Sequence, residues 1–137
     1  MDFKLHTSYA GGMPMKTIAK ASETVIEAGD MVWLTAGLAV KAAANTAAIA
    51  YCPNGWVNGV TTIQVLNDPE AEFLGTADEA FAVTHRGTEV DMVVTGWVQY
   101  IDVGSSATDV FKVSIGTDAG VVDSTAKVKV KINKFLY

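Results

Sequence analysis

The sequence predicts an all-β fold, a compact β-barrel or sandwich of short antiparallel strands with an irregular N-terminal arm. Three observations carry this. Strand-forming runs flank Gly-Asp turns, most clearly in Val25-Ile26-Glu27-Ala28-Gly29-Asp30-Met31-Val32-Trp33-Leu34. β-branched and aromatic residues fit a pleated surface there, and Ala-Gly-Asp fits the reversal between them. Near the C-terminus Val128, Val130 and Ile132 alternate with Lys127, Lys129 and Lys131, the period of two that a half-buried strand imposes. Half of the 137 residues are hydrophobic and only 18% are charged, so the chain buries a core instead of staying disordered.

Residues 1–16 read as the arm, with Phe3, Leu5 and Tyr9 set among polar residues before Gly11-Gly12-Met13-Pro14 breaks the pattern. A first edge strand followed by a turn is the alternative for this segment. Residues 17–137 read as a single β domain, a length suited to one core. Residues 17–27 suggest a strand into the Ala28-Gly29-Asp30 turn, and 31–35 the next strand. Ala36-Gly37 then turns into 38–42. The Ala-rich stretch 42–50 is interrupted by Asn45-Thr46 and is too short for a stable lone helix, so it reads as a loop with one helical turn.

Pro53-Asn54-Gly55 is a turn by composition. Asn58-Gly59 signals a hairpin between Trp56-Val57 and Val60–Leu66. Short strands are expected over 72–77 and 81–84, followed by a turn at Arg86-Gly87-Thr88 and a strand over 89–95. Gly96 marks a bulge in a chain that continues outward through Trp97 to Ile101. A polar loop over 104–109 leads to a strand over 110–115. The closing strand carries an all-lysine outer face, which either guards an exposed edge against aggregation or holds an acidic partner.

Charge narrows the function. The net charge is −5 and the pI near 4.8, so nucleic acid is not an expected partner. Residues 68–91 hold seven acids against Arg86 alone, and 127–134 hold four lysines and no acid. The domain is therefore expected to carry an acidic and a basic face, suited to copies of itself or to a patterned partner. Cys52 is the only cysteine, which precludes an internal disulfide and reads as a small buried filler in a reduced environment. No signal-peptide pattern and no run long enough to span a bilayer are visible, so synthesis in a cytoplasm and no membrane partner are expected.

No catalytic motif stands out, and the reading is of a non-enzyme without cofactor or metal. His6 and His85 have no partners at zinc-ligand spacing. No serine lies in a Gly-x-Ser-x-Gly elbow, and no P-loop is present. Asp68, Glu70 and Glu72 offer oxygens to a hard cation, although they lack the glycine and distal glutamate of an EF-hand loop. Trp33, Trp56 and Trp97 are either core or interface anchors or the stacking face of a sugar-binding module.

Four segments occur in an order that resembles a known family. They are Glu27–Leu34, Gly37–Ala43, Phe73-Leu74-Gly75-Thr76-Ala77 and Gly87-Thr88-Glu89-Val90-Asp91-Met92-Val93-Val94-Thr95-Gly96. The series resembles the capsid decoration (cement, head-stabilising) proteins of tailed bacteriophages, over about residues 16–98. Gly75-Thr76-Ala77 stands where Gly-Val-Ala is usual, the stretch 44–66 is longer than the pattern, and 99–137 lies outside it.

The resemblance implies a structural virion protein, with no catalytic residues, that is made in the host cytoplasm. It would bind the outer surface of a mature capsid, contact the major capsid protein, and bridge capsomers as a homotrimer. Candidate capsid or subunit contacts are Phe3, Leu5 and Tyr9 in the arm, Lys127, Lys129 and Lys131 on the lysine strand, and Phe135, Leu136 and Tyr137 at the end. Large apolar groups at both termini, where chains are usually frayed and polar, suggest docking, either on a partner or on the domain's own core. A carbohydrate-binding or adhesion module using exposed tryptophans is the alternative.

Overall fold

Turn chemistry divides the chain into short strands, most of which pair with strands distant in the chain. A computed structural model describes residues 2–8, 13–43 and 48–137. Among them are eleven strands: β1 Phe3–Thr7, β2 Met15–Ala19, β3 Asp30–Thr35, β4 Leu38–Lys41, β5 Ala50–Cys52, β6 Thr62–Leu66, β7 Glu72–Gly75, β8 Glu89–Thr95, β9 Val98–Asp102, β10 Phe111–Val113 and β11 Val128–Ile132. They form a six-stranded sheet in the order β1-β7-β11-β10-β8-β9, a three-stranded sheet β4-β3-β5 and a two-stranded sheet β2-β6. Every strand pairing within these sheets is antiparallel. The sheets pack together as in a sandwich, and among the described residues no closed barrel forms.

Two core clusters hold the sheets together. The larger gathers Phe3, Phe73, Phe81, Phe111, Met92 and Ile101 with their neighbours. The smaller is built from Ile26, Val32, Ala39, Ala50, Cys52, Ile63 and Val65. Each fully buried large side chain removes enough apolar area from water to contribute roughly 1.5–3 kcal/mol. Cys52 is a buried, free thiol in the smaller cluster, and burial pushes its pKa up.

Within the expected arm, residues 3–7 form a regular strand. Phe3–Thr7 pairs with β7 at the edge of the large sheet, and the Phe3 ring is 1% exposed. Gly75, its register partner, explains why the ring fits: a Cβ there would lie 2.5 Å from Phe3 Cε1. The Phe3 N–H donates to Gly29 O at 3.0 Å and the Tyr51 hydroxyl donates to Phe3 O at 3.3 Å. The segment thus forms the edge strand of the alternative reading, and residues 9–12, with Tyr9, lie outside the described residues.

The lysine strand is not an edge. β11 lies inside the sheet between β7 and β10, because its Val128, Val130 and Ile132 face is fully needed by the core. The separate acidic and basic faces therefore do not form here. Glu72 of β7 is in register with Lys131 of β11, Lys131 with Lys112 of β10, and Lys112 with Glu89 of β8. Glu72–Lys131 and Lys112–Glu89 set opposite charges side by side, which is favourable, while Lys131 and Lys112 between them are like charges that the flanking glutamates offset.

Other expectations shift locally. Asn58-Gly59 does make a turn, with Val60 N–H donating to Val57 O at 3.1 Å, but no hairpin follows. Trp56 N–H donates instead to Ile26 O at 2.8 Å, which holds this stretch as a loop, and β6 pairs with β2. Residues 83–85 form a 3₁₀ turn where a strand was expected, closed by the Ala82 N–H donating to His85 Nδ1 at 3.0 Å. Residues 44–47 of the Ala-rich stretch lie outside the described residues.

Candidate functional site

Two hairpins present the most unusual surface. β3 and β4 are joined by Ala36-Gly37 (φ 51° and 79°), and β8 and β9 by Gly96-Trp97 (φ 58° and 70°). Two successive left-handed residues make the tight hairpin turn whose twist matches the flanking strands. Gly96 is thus the first turn residue and not a bulge. Glycine suits such positions; tryptophan does not, since a bulky side chain in the left-handed region is strained. Trp97 is nevertheless held there and is 84% exposed.

The ground beneath Trp97 is polar and anchored. Lys41, at the end of β4, donates from Nζ to Trp97 O at 2.5 Å. The same ammonium lies 3.0 Å from Asp2 Oδ2 and 3.2 Å from Asp30 Oδ1. Asp30 opens β3 because the Ala28-Gly29 turn delivers it there, and its Oδ2 accepts the Glu27 N–H at 2.8 Å. Burial raises the Asp30 pKa, with the Glu27 N–H and Lys41 opposing. Burial works to lower the Lys41 pKa, but its hydrogen bond to Asp2 and the attraction of Asp30 and Asp2 raise it overall. Asp2 also accepts the Gln99 N–H at 2.9 Å, so the N-terminus, both hairpins and the Gly-Asp turn meet at one ion cluster.

Above this cluster lies a recess of about 370 Å³ between the Trp97 hairpin and the 23–27 segment. Val25, 61% exposed, faces it together with Glu23, Thr24 and Glu27. Glu23 is itself left-handed (φ 63°). Two non-glycine residues in sparsely populated backbone conformations therefore line one recess, and strain of this kind concentrates at binding and functional sites.

A second recess of about 290 Å³ lies on the large sheet beside Lys112, Ile115 and Lys131. Its charges are largely matched internally. Lys131 Nζ pairs with Glu70 at 3.2 Å and Lys129 pairs with Asp118, whose pKa that hydrogen bond lowers.

The contact candidates scatter over this frame. Phe3 is in the core and Leu5 packs half-buried against it. Lys129 is 8% exposed, and Lys131 is half-buried in its ion pair. Lys127 is exposed. Phe135 packs on the larger cluster and Leu136 on the smaller, so these terminal apolar groups dock on the domain's own core. Tyr137 is 97% exposed, with Lys16 Nζ 4.7 Å from its ring centroid.

The three tryptophans do not share one environment. Trp33 packs against the larger cluster and Trp56 against the smaller. Trp56 also donates from Nε1 to Val60 O at 2.7 Å and lies under Lys20 Nζ, 4.1 Å from the ring centroid. Of the three, Trp97 alone projects into solvent. Asp68, Glu70 and Glu72 likewise do not converge on an open cation position. Asp68 accepts from Ser8 Oγ at 2.7 Å and from Glu70 N–H at 3.0 Å, and among the described residues no group of His, Cys, Asp and Glu is placed to hold a metal ion. Among them also, no helix is long and apolar enough to cross a membrane.

The sequence names Trp97 with Trp33 and Trp56 as an anchor or stacking residue but does not place it at a hairpin tip, because neither Gly-Trp nor the run into Val98–Ile101 carries ordinary hairpin chemistry. The one signal was Gly96, preceded and followed by strand formers. No family model, curated protein or solved structure matches the chain.

Proposed function

We propose that this is a structural virion protein of the capsid-decoration type. It binds the outer surface of a mature tailed-phage shell, bridges capsomers as a trimer, and needs neither cofactor nor catalytic residues. Its partners are the major capsid protein and its own copies, not nucleic acid or membrane, and it is made in the host cytoplasm. The observation that carries this reading is Trp97, a large aromatic displayed at the tip of a rigid hairpin in a strained conformation. Exposed aromatics on rigid elements are the anchors by which protein surfaces engage one another. A small sandwich that presents such an anchor in several copies gains strength from avidity without a deep pocket.

The test begins with light scattering on the purified protein and continues with co-sedimentation on expanded capsids lacking it. A trimer that pellets to a saturable stoichiometry, and that loses this on Trp97→Ala, supports the reading. A monomer that ignores capsids sinks it.

The exposed indole also serves a carbohydrate-binding or adhesion module, since aromatic rings stack on sugar faces. That reading requires sugars to quench or shift tryptophan fluorescence, whereas the decoration reading expects no response.

A further inference from the structure

We infer that the recess beneath Trp97 is a clamp for a cationic side chain, an arginine or lysine carried by the partner protein. For the identity of that partner the inference rests on the decoration reading; the chemistry of the clamp stands on the recess itself. Trp97, 84% exposed, lines it together with Glu23 and Glu27.

The one cation in the recess is already used. Lys41 is committed to Asp2, Asp30 and the Trp97 carbonyl. Neither Glu23 nor Glu27 has an ion-pair partner for its carboxylate among the described residues. The lining is therefore left with two carboxylates without an ion pair and one exposed aromatic residue. An indole attracts a cation over its ring, and carboxylates beside it add directional acceptors for guanidinium or ammonium hydrogens. An anionic occupant would meet both glutamates, and a purely apolar one would have to desolvate them.

The apolar part of the recess fits the same occupant. Val25 is 61% exposed and offers a surface to the methylene stem of a long basic side chain, while the charged head sits between ring and carboxylates. Arginine is favoured over lysine, because its planar group stacks on indole and donates in a fork. The ion cluster below fixes the geometry in advance: Lys41 ties the Trp97 carbonyl to the strands that carry Asp30.

The test follows the indole Nε1–H resonances by NMR, with Trp97 assigned through Trp97→Phe and with Trp33 and Trp56 reporting the integrity of the fold. The probe is the capped peptide Gly-Arg-Gly, compared with the same peptide carrying uncharged citrulline. We expect a saturable shift confined to Trp97 with the arginine peptide alone. We expect Glu23→Gln/Glu27→Gln to weaken it by about tenfold, the effect of losing two ion pairs around a cation on a ring. No shift, an equal shift with citrulline, or full affinity in the double variant overturns the clamp.

Capsid pelleting separates this inference from the reading it rests on. Wild type that pellets at least about tenfold more tightly than Glu23→Gln/Glu27→Gln supports both. Equal pelleting of the two overturns the clamp and leaves decoration standing. Wild type that takes the arginine peptide yet ignores capsids overturns decoration alone.

Discussion

Gln99 and Met31 are joined as though they were opposite residues of one sheet, although they belong to different sheets. Gln99 Oε1 accepts the Met31 N–H at 2.8 Å, and Gln99 Nε2 donates to Met31 O at 2.8 Å. The same Nε2 donates to Ala42 O at 2.8 Å. A fully buried side chain thus bridges the Met31 N–H and the Ala42 carbonyl just beyond the last β3–β4 pair, Val32 and Lys41, and fastens the β8–β9 hairpin to the β3–β4 hairpin.

That arrangement makes Gln99 costly to replace. In Gln99→Leu the volume is nearly kept, but the Met31 N–H and the Ala42 carbonyl lose these buried partners, at about 1–3 kcal/mol each. We expect a loss of about 3 kcal/mol in urea unfolding, with an unchanged m-value. A loss under about 0.5 kcal/mol, the range of an ordinary surface change, would contradict the cross-link.

Asp91 organises the 104–109 loop by accepting from five donors: Ser105 Oγ, Thr108 Oγ1 and the N–H groups of Ala107, Thr108 and Asp109, at 2.7–3.1 Å. Burial pulls its pKa upward, but these donors outweigh it and bring it down to about 2. A depressed carboxylate pKa stabilises the fold above the unfolded value of 3.8, and that stabilisation is lost as pH falls from there toward 2. Asp30 runs the other way, because its raised pKa means that the folded state takes up a proton before the unfolded one. Comparing Asp91→Asn with wild type isolates the Asp91 part. The variant should be less stable by about 2–3 kcal/mol at pH 6, from hydrogen bonds to a lost charge, and the gap should close by pH 2. Urea midpoints at four pH values between 2 and 6 check this; a constant gap would refute it.

The strands were legible where a single local rule decided them. β3, β4, β8 and β11 follow from alternation and β-propensity, and the Ala28-Gly29-Asp30 turn from its residues. What local rules left open was set by distant partners. Lys129 and Lys131 read as a solvated face until β7 and β10 are placed on either side. Phe3 reads as an arm residue until Gly75 is seen to leave room for its ring. Of the candidate site, Trp97 was legible as an anchor or stacking residue but its recess was not, because Glu23 and Lys41 reach the same recess only through separate turns. Gln99 carried no sequence signal, since a buried glutamine and an exposed one are written alike.

The docking of the first strand gives a sharp test of its own. At Gly75 a Cβ would lie 2.5 and 2.8 Å from two Phe3 ring atoms and 2.9 Å from Ile101 Cδ1. Gly75→Ala must therefore push the ring out of a packed core, at about 1–3 kcal/mol. Phe3→Ala leaves a cavity and should cost about 3–5 kcal/mol. In the double variant the alanine methyl partly fills the space the ring vacates, so the two losses should sum to more than the measured total. Strict additivity in a double-mutant cycle would show that the ring and the glycine are not in contact.

Trp97 yields the prediction that separates strain kept for binding from strain without use. Its left-handed backbone costs a bulky residue about 1–2 kcal/mol, and asparagine tolerates the same conformation far better. An indole that is 84% exposed gives back little burial to offset that cost. Trp97→Asn should therefore raise stability, by about 1 kcal/mol in urea unfolding, while abolishing saturable binding to expanded capsids. Stabilisation with binding intact would mean that the hairpin tip is not the contact. A loss of stability would mean that the indole packs on the domain in solution. Only a gain in stability together with a loss of binding fits a residue held in a strained turn for the surface it presents.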